Sequence, residues 1–286
     1  MSGAIVITGC DAAHYDLAAD LLASLRDACV NQLTIGFIHV GDVPVPPAIE
    51  MVADQVVHVS DDRFLRDQRR GFRLAYLSVK ARLPEFFPGY EVYVWLDGDT
   101  WVQNAEGLGQ VIESARHGDV CMHPERDPNY TIQDHSRVYL SYVYGLLYGP
   151  DEASRYVDYA SINSGVFAAR ATSPLWRLWL EALEEVRERA GERADIHFSD
   201  QIPLHRLVVS GRLTLAPLRA VNNWLTMLSL PAVNFERKKL LAPTYPFEEI
   251  NIIHLIGDTK NKSYRLGDSG REITFRYRDI KALFGG

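Results

Sequence analysis

The sequence predicts an α/β fold in which a parallel sheet is covered by helices. Three observations support this prediction. Short apolar runs alternate with amphipathic segments in the first third of the chain, several of these runs are apolar without interruption, and no repeat or low-complexity linker breaks the pattern. Strand–helix alternation is typical of parallel sheets, and strands covered on both faces are continuous apolar runs. A length of 286 residues allows one large domain or two small ones.

The first half of the chain contains four predicted strands and two predicted helices. The strands are AIVIT (residues 4–8), LTIGFIHV (33–40), QVVHV (55–59) and VYVWL (92–96). A helix is predicted from Tyr15 to Arg26, because leucines recur on one face. A second helix is predicted from Phe72 to Arg82.

The second half begins with a segment that has no clean period, residues 125–159, which contains seven tyrosines. A strand, SGVFAA (164–169), and a helix from Pro174 to about Arg189 follow; a proline in the first helical turn is a normal helix start. Another helix is predicted within SDQIPLHRLVV (199–209), and a last strand within NIIHLIG (251–257).

The composition is that of a soluble globular protein, with 47% hydrophobic and 23% charged residues. The net charge is −7 with both signs spread along the chain, which argues against a nucleic-acid-binding face. We find no signal-peptide pattern and no apolar run of about eighteen residues. The three cysteines have no metal or disulfide spacing. These features lead us to expect a cytoplasmic protein.

Two aspartates, Asp97 and Asp99, come directly after the apolar strand in EVYVWLDGDTWVQ. Ligands of open α/β sheets bind at the carboxyl ends of strands, and Gly98 allows a ligand to approach the backbone closely. Two neighbouring carboxylates repel each other unless a cation lies between them. Such a pair can hold a divalent ion that neutralises the phosphates of a nucleotide diphosphate. The alternative is an ordinary polar turn, DGDT.

A second polar cluster follows the last predicted strand, in IIHLIGDTK. His254 can supply a nitrogen ligand to a mostly oxygen-bound metal, which favours Mn²⁺ over Mg²⁺. Gly257 can let backbone N–H groups face a phosphate, and Lys260 can balance its charge. The alternative is a core histidine, a turn glycine and a solvated lysine.

The segments VWLDGDTWV, INSGVFAAR, FSDQIPLHRL and HLIGDTK, taken in this order, resemble glycosyltransferase family 8. The resemblance covers roughly residues 5–260. It implies a GT-A fold, which is a Rossmann-like mixed sheet flanked by helices, in a single domain over residues 1–286. Residues 1–104 would form the nucleotide-binding half and residues 105–286 the acceptor-side half. Residues 250–262 would return to the metal and diphosphate.

The resemblance also implies a role for each matching residue. The metal, expected to be Mn²⁺ with Mg²⁺ as second candidate, would be held by Asp97, Asp99 and His254. Donor-binding roles would fall to Thr8, Tyr15, Lys80, Asp97, Gly98, Asn163, Ser164, Gly257 and Lys260. Thr8 and Tyr15 would contact the base. Asp200 and Gln201 would lie beside the anomeric carbon and are the catalytic candidates.

Several of these residues have simpler interpretations. Lys80 can be a cation that a helix C-terminus favours. Asn163 and Ser164 can form a turn before a strand. Asp200 can be the N-cap of the helix that follows it, although a capping carboxylate still has a second oxygen for a ligand.

The resulting hypothesis is a metal-dependent hexosyltransferase that moves a sugar from a nucleotide diphosphate donor, expected to be a UDP-sugar, to an acceptor hydroxyl with retention. Front-face attack and a protein nucleophile both remain open, and the acceptor is a carbohydrate, glycolipid or protein. The alternatives are a non-catalytic module that binds a nucleotide sugar or a metal-nucleotide, and a sugar nucleotidyltransferase. The latter is disfavoured because TGCDAAHYD lacks a basic Gly-rich loop.

The segment FERKKLLAPTYPF (235–247) places three basic residues beside aromatic ones. Such a segment can contact an anionic membrane. A solvated loop is the favoured interpretation.

Overall fold

A seven-stranded sheet forms the centre of the computed structural model, which describes residues 3–29, 33–41, 43–59, 78–133, 137–156, 158–190, 200–267 and 270–285. Its strands are β1 (Ala4–Cys10), β2 (Thr34–Val40), β3 (Gln55–Val59), β4 (Val92–Leu96), β6 (Val120–Pro124), β7 (Ile162–Arg170) and β8 (Leu215–Pro217). The remaining strands are β5 (Thr100–Val102), β9 (Trp224–Leu225), β10 (Ala232–Asn234), β11 (Lys239–Leu241), β12 (Ile252–His254), β13 (Tyr264–Leu266) and β14 (Arg271–Ile273).

The α-helices of the described residues are α1 (Tyr15–Cys29), α2 (Pro47–Glu50), α3 (Leu83–Phe86), α4 (Ala105–Ser114), α5 (Arg137–Tyr148), α6 (Pro150–Tyr156), α7 (Leu175–Ala190), α8 (Gln201–Val209) and α9 (Tyr277–Leu283). Short 3₁₀ turns span Ala12–His14, Lys80–Arg82, Ala220–Asn222 and Gly257–Lys260. The helices predicted to start at Tyr15 and Pro174 are confirmed as α1 and α7. Most of the helix predicted from Phe72, residues 72–77, lies outside the described residues.

The strand order of the main sheet is β3-β2-β1-β4-β7-β6-β8. The neighbours from β3 to β4 are parallel, as predicted, whereas β7 runs antiparallel to both β4 and β6. The sheet is therefore mixed and flanked by helices, which confirms the predicted fold class. The parallel order also brings the carboxyl ends of β1 and β4 to the same edge.

Both faces of this sheet are covered by hydrophobic clusters. Alternate residues of β1 point to opposite faces: Val6 packs in the cluster that contains α1 and α4, while Ile5 and Ile7 pack in the cluster that contains Trp95 and Trp179. Period-two alternation sends neighbouring side chains to opposite sides of a strand. Because both sides are apolar, the strands appear in the sequence as unbroken apolar runs.

A small three-stranded sheet, in the order β5-β12-β9, brings the C-terminal part of the chain to the end of β4. Strand β12 is antiparallel to β5, and in this register His254 lies opposite Thr100. The predicted last strand over 251–257 is therefore shorter, because the chain turns into the 3₁₀ turn at Gly257. This sheet positions the candidate site.

The tyrosine-rich segment forms the helices α5 and α6, which the sequence pattern did not predict. Tyr144 is fully buried, and its hydroxyl lies 2.6 Å from Nδ1 of His205 on α8. Burial lowers the pKa of His205 to about 4, so this histidine is neutral. In contrast, Tyr139 and Tyr142 are exposed on α5. The tyrosines thus divide between packing and surface roles.

The basic and aromatic segment over residues 235–247 includes the end of the β10–β11 hairpin and the loop after it. Phe235, Tyr245 and Phe247 are exposed there. The favoured interpretation, a solvated loop, and the alternative, membrane contact, both stay predictions. Within the described ranges, none of the helices combines the length and the apolar character needed to cross a bilayer.

Candidate active site

The candidate site is a cleft at the carboxyl ends of β1 and β4. Two adjoining cavities, of about 470 and 520 Å³, share Asp97, Asp99 and Lys260 as lining residues. One cavity extends toward the turn after β1, and the other toward β7 and the start of α8. A long ligand can therefore lie across the aspartates with one end in each cavity.

Three side chains of the cleft, here called the metal group, can together hold a metal ion. Asp97, Asp99 and His254 each offer one ligand atom, and these atoms lie within 4.8 Å of one another. The backbone fixes the group: the N–H of Asp97 donates to the carbonyl of Gly165 at 2.7 Å, and the N–H of Leu255 donates to the carbonyl of Asp99 at 2.9 Å. The sequence-predicted metal ligands are thus brought together from distant parts of the chain.

The donor set fits a hard divalent cation. Two carboxylates and one imidazole suit Mn²⁺, and an oxygen-rich set also suits Mg²⁺. Nε2 of His254 lies 3.3 Å from Oδ1 of Asp99. A bare imidazole nitrogen and a carboxylate oxygen both carry lone pairs, so a cation or a proton is needed between them. The residues present therefore fit a metal.

Asp99 is in contact with the Lys260 ammonium and the His254 imidazole. Its Oδ2 lies 2.7 Å from Nζ of Lys260, and its side chain is only 12% exposed. Burial alone would raise the pKa of Asp99, but attraction to His254 and Lys260 outweighs burial and lowers this pKa below its ordinary value. The carboxylate is therefore ionised and ready to accept a cation.

Lys80 is buried and joins two carboxylates. Its Nζ lies 2.8 Å from Oδ1 of Asp97 and 3.0 Å from Oδ2 of Asp200, and it sits 5.5 Å from the centre of the Trp95 ring. Burial lowers the pKa of Lys80, but attraction to Asp200 and Asp97 raises it overall above its ordinary value. A permanent ammonium thus links a metal ligand to a candidate catalytic residue.

Asp200 occupies the N-cap position of α8 but its side chain makes no capping hydrogen bond. Instead, Oδ2 of Asp200 accepts a hydrogen bond from the Ser164 hydroxyl at 2.8 Å, in addition to the contact with Lys80. The neighbouring Gln201 accepts a hydrogen bond at Oε1 from the N–H of Ser164. The simple capping interpretation is therefore wrong for this carboxylate, which is held toward the cleft.

Asn163 and Ser164 lie inside β7, not in a turn before it. Both line the cavity next to Asp200. Nδ2 of Asn163 donates to Glu125 at 3.2 Å, and Oδ1 accepts from the N–H of Gly165 at 3.0 Å. Glu125 also lines this cavity. It was not selected from the sequence, although it directly follows β6 as Asp97 follows β4.

Thr8 and Tyr15, the two residues predicted to contact the base, are not among the residues that line the two cavities. Thr8 is buried in β1, and its hydroxyl has no hydrogen-bond partner among the described residues. The Tyr15 hydroxyl contacts Nδ1 of His39 at 3.0 Å and the carbonyl of Val43 at 3.1 Å. The cavity on this side is lined by Cys10, Asp11, Ala13 and His14, none of which is a residue selected from the sequence.

Gly98 and Gly257 line the two cavities next to Asp97 and Asp99, and neither glycine has a side chain that would fill the space. Gly257 has a φ of +60°, in the left-handed region that favours glycine. The 3₁₀ turn that begins at Gly257 ends at Lys260 and returns this lysine to Asp99. This return explains how a lysine six residues after His254 reaches the same cluster.

No protein family model and no curated protein matches the sequence. The fold, in contrast, is that of the GT-A glycosyltransferases. The structure of galactosyltransferase LgtC in complex with donor and acceptor sugar analogs matches with a TM-score of 0.59 and 11% identity, over 98% of this chain and 95% of that chain. An active-site mutant of LgtC matches with a TM-score of 0.56 and 10% identity, over 98% of this chain and 95% of that chain.

A third solved structure extends this likeness beyond one enzyme. Mouse xyloside xylosyltransferase 1, in its apo form, matches with a TM-score of 0.54 and 13% identity, over 89% of this chain and 97% of that chain. At such low identities the likeness establishes the architecture. The chemistry must be argued from the side chains of the cleft.

Proposed function

We propose that this protein is a metal-dependent glycosyltransferase of the family 8 type, which transfers a hexose from a UDP-sugar to an acceptor hydroxyl with retention. The observation that carries this proposal is the cluster of Asp97, Asp99 and His254 in the cleft of a GT-A fold. Asp200 lines the same cleft, where a transferred sugar would lie.

The two cavities suggest how the donor would lie. The nucleotide would occupy the cavity beside Asp11 and His14, within residues 1–104. The diphosphate would lie at the aspartates and Lys260, which both cavities share. The sugar would lie beside Asn163 and Ser164, in the acceptor-side half formed by residues 105–286. The return of residues 250–262 to the metal group supports this division.

The charges of the cleft suit departure of a nucleoside diphosphate. A bound Mn²⁺ or Mg²⁺ would neutralise charge that develops on the leaving diphosphate. Lys260 would add an ammonium on the same side, and preorganised charges of this kind are a major source of transition-state stabilisation. Lys80 contacts Asp97 and Asp200 in the same cleft, and its donor-binding role stays a prediction.

Retention can proceed by a protein nucleophile or by front-face attack, and Asp200 would have a role in either route. Lys80 and Ser164 both contact Oδ2, and Oδ1 has no partner in the described part of the chain. A nucleophilic role would use Oδ1 to attack the anomeric carbon. In front-face attack, Asp200 would instead stabilise positive charge on the sugar ring while the leaving phosphate takes the acceptor proton.

A donor panel tests the proposal. Release of nucleoside diphosphate should be measured from UDP-, GDP- and ADP-sugars with Mn²⁺, with Mg²⁺ and with a chelator. We expect turnover of one UDP-sugar that needs metal and is lost in Asp99→Asn, because the amide removes a charged ligand. Asp258→Asn is the matched control, since Asp258 is an exposed carboxylate of the nearby turn.

Calorimetry of donor binding should accompany the turnover assay, because transfer to water without an acceptor can be slow. Metal-dependent binding with no turnover under any acceptor would favour the non-catalytic module. If no nucleotide sugar is bound or cleaved with any metal, the glycosyltransferase proposal is wrong.

Replacement of Lys260 by methionine should affect metal and nucleotide in opposite directions. The Lys260 ammonium contacts Asp99 Oδ2 where a cation would bind. We expect Lys260→Met to strengthen binding of Mn²⁺ alone and to weaken binding of UDP in the presence of Mn²⁺, each by about tenfold, the size of one hydrogen bond to a charged group. Calorimetric titrations of both ligands measure this, with Lys262→Met as the exposed control. Weaker binding of both ligands would contradict the prediction.

A further inference from the structure

Asn223 is a fully buried residue that connects the candidate metal ligand His254 to strand β7. Its Oδ1 lies 3.0 Å from Nδ1 of His254, and its Nδ2 lies 2.9 Å from Oδ1 of Asn163. The sequence carries no signal for this residue, because neither its residue type nor its neighbours form a site motif. Its contacts, however, determine which nitrogen of His254 faces the metal group.

The direction of each hydrogen bond in this chain follows from a backbone amide. The N–H of Gly165 donates to the side-chain oxygen of Asn163 at 3.0 Å, and a backbone N–H can only donate. The Asn163 atom must therefore be Oδ1, which agrees with donation from its Nδ2 to a carboxylate oxygen of Glu125. With Asn163 in this orientation, its neighbour Asn223 must present Nδ2 to it as the donor.

The orientation of Asn223 then sets that of His254. With Nδ2 directed at Asn163, Oδ1 faces the imidazole, and an amide oxygen can only accept. Nδ1 of His254 must therefore carry a proton. A flipped Asn223 would place its oxygen against Asn163 Oδ1, and two amide oxygens cannot form a hydrogen bond with each other. Only the observed arrangement pairs every donor with an acceptor.

We propose that Asn223 is a positioning residue that keeps the proton of His254 on Nδ1 and so presents Nε2 to the metal. Nε2 is the nitrogen that faces Asp99, at 3.3 Å. Groups that bond to the second nitrogen of a metal-binding histidine fix its tautomer and ring orientation. The role for the metal rests on the proposed function, whereas the tautomer is a property of the chain alone.

The adjacent Asn222 provides a matched comparison. It is also buried, at 2% exposure, but its side chain points elsewhere: Nδ2 donates to Gln110 at 2.9 Å, and Oδ1 accepts from Asn251 at 2.7 Å. Replacement of either asparagine by serine removes a buried amide of the same size. Only the Asn223 change removes the acceptor for His254.

Nitrogen-15 NMR of the histidine side chains tests the tautomer in metal-free protein kept in chelator. The His254 signals are assigned by their loss in His254→Gln. We expect a proton on Nδ1 in the native protein and loss of this preference in Asn223→Ser. A native spectrum with a bare Nδ1 and a protonated Nε2 would overturn the proposal, whether or not the variant folds.

Mn²⁺ binding, followed by the electron paramagnetic resonance signal of the free ion, tests the consequence for the metal. Loss of such a supporting residue typically weakens metal binding by about 10- to 100-fold. We expect this loss in Asn223→Ser and unchanged affinity in Asn222→Ser. Equal loss in both variants would overturn the proposal, because it would indicate general destabilisation.

The two measurements separate this proposal from the proposed function. Strong Mn²⁺ binding with a bare Nδ1 would leave the glycosyltransferase proposal intact and overturn the role of Asn223. Absence of Mn²⁺ binding by the native protein would overturn both, and a protonated Nδ1 would then describe only a structural histidine.

Discussion

Replacing Gly165 with alanine is expected to displace His254 and to eliminate metal binding. A Cβ atom at position 165 would lie 2.1 Å from Cε1 and 2.7 Å from Nδ1 of His254, and 3.0 Å from Oδ1 of Asn163. Atoms cannot approach so closely, and the ring cannot yield without leaving the metal group. We expect Mn²⁺ affinity to fall by about 100-fold, the upper end for loss of a supporting residue, and the free energy of unfolding to fall by about 1–3 kcal/mol.

A suppressor variant separates this steric effect from a general effect of alanine in β7. In Gly165→Ala/His254→Ala the clashing ring is absent, so the free energy of unfolding should rise above that of Gly165→Ala, while Mn²⁺ binding stays lost. Gly109→Ala on α4 is the control, because a Cβ there meets no atom within 4 Å. Native Mn²⁺ affinity in Gly165→Ala would show that His254 is not a ligand.

The elements that the sequence predicted well are those in which burial determines the local pattern. Strand β4 is buried along its whole length, so its five residues are all apolar. Helix α7 alternates a buried face with an exposed one, and its predicted start and end differ from the structure by one residue each. In both cases the pattern of the segment itself contains the information.

Helix α5 was missed because tyrosines lie on both its buried and its exposed side. Tyr144 is buried against His205, while Tyr142 is 52% exposed on the same helix. An amphipathic residue type at both positions hides the period that marks a helix. Strand β12 was predicted, but its partners β5 and β9 come from distant parts of the chain, and no local pattern specifies such pairing.

The residues of the candidate site also divide into some that the sequence pattern predicts and others that only the tertiary structure reveals. Asp97, Asp99 and His254 could be selected because each lies at or just after the end of an apolar strand, where ligands of α/β sheets bind. The contacts of Asp200 could not be predicted, because a carboxylate before a helix is equally expected to be a cap. Only the tertiary structure brings Lys80 and Ser164 to this carboxylate. Asn223 has no sequence signal beyond being the second of two successive asparagines, and its burial and its contact with His254 become visible only in the structure.

The second large expected effect concerns Lys80, whose replacement by methionine should destabilise the protein and disorder the cleft. Methionine keeps the length of the side chain but leaves the carboxylates of Asp97 and Asp200 without their shared ammonium. The Asp200 side chain is only 6% exposed, so water cannot take the place of the lost ammonium. Loss of one partner of a buried ion pair costs about 3–5 kcal/mol. We expect a loss of this size in the free energy of unfolding, together with a lower kcat.

Denaturant unfolding of four proteins measures this effect: native, Lys80→Met, Asp200→Asn and the double variant. Asn at 200 removes one of the unbalanced charges, so the double variant should be more stable than Lys80→Met alone, and the cycle should give a coupling free energy of about 0.5–3 kcal/mol. Lys238→Met, at an exposed lysine, should change stability by less than about 0.5 kcal/mol. Additive effects of Lys80→Met and Asp200→Asn would contradict a bridge by Lys80 between Asp97 and Asp200.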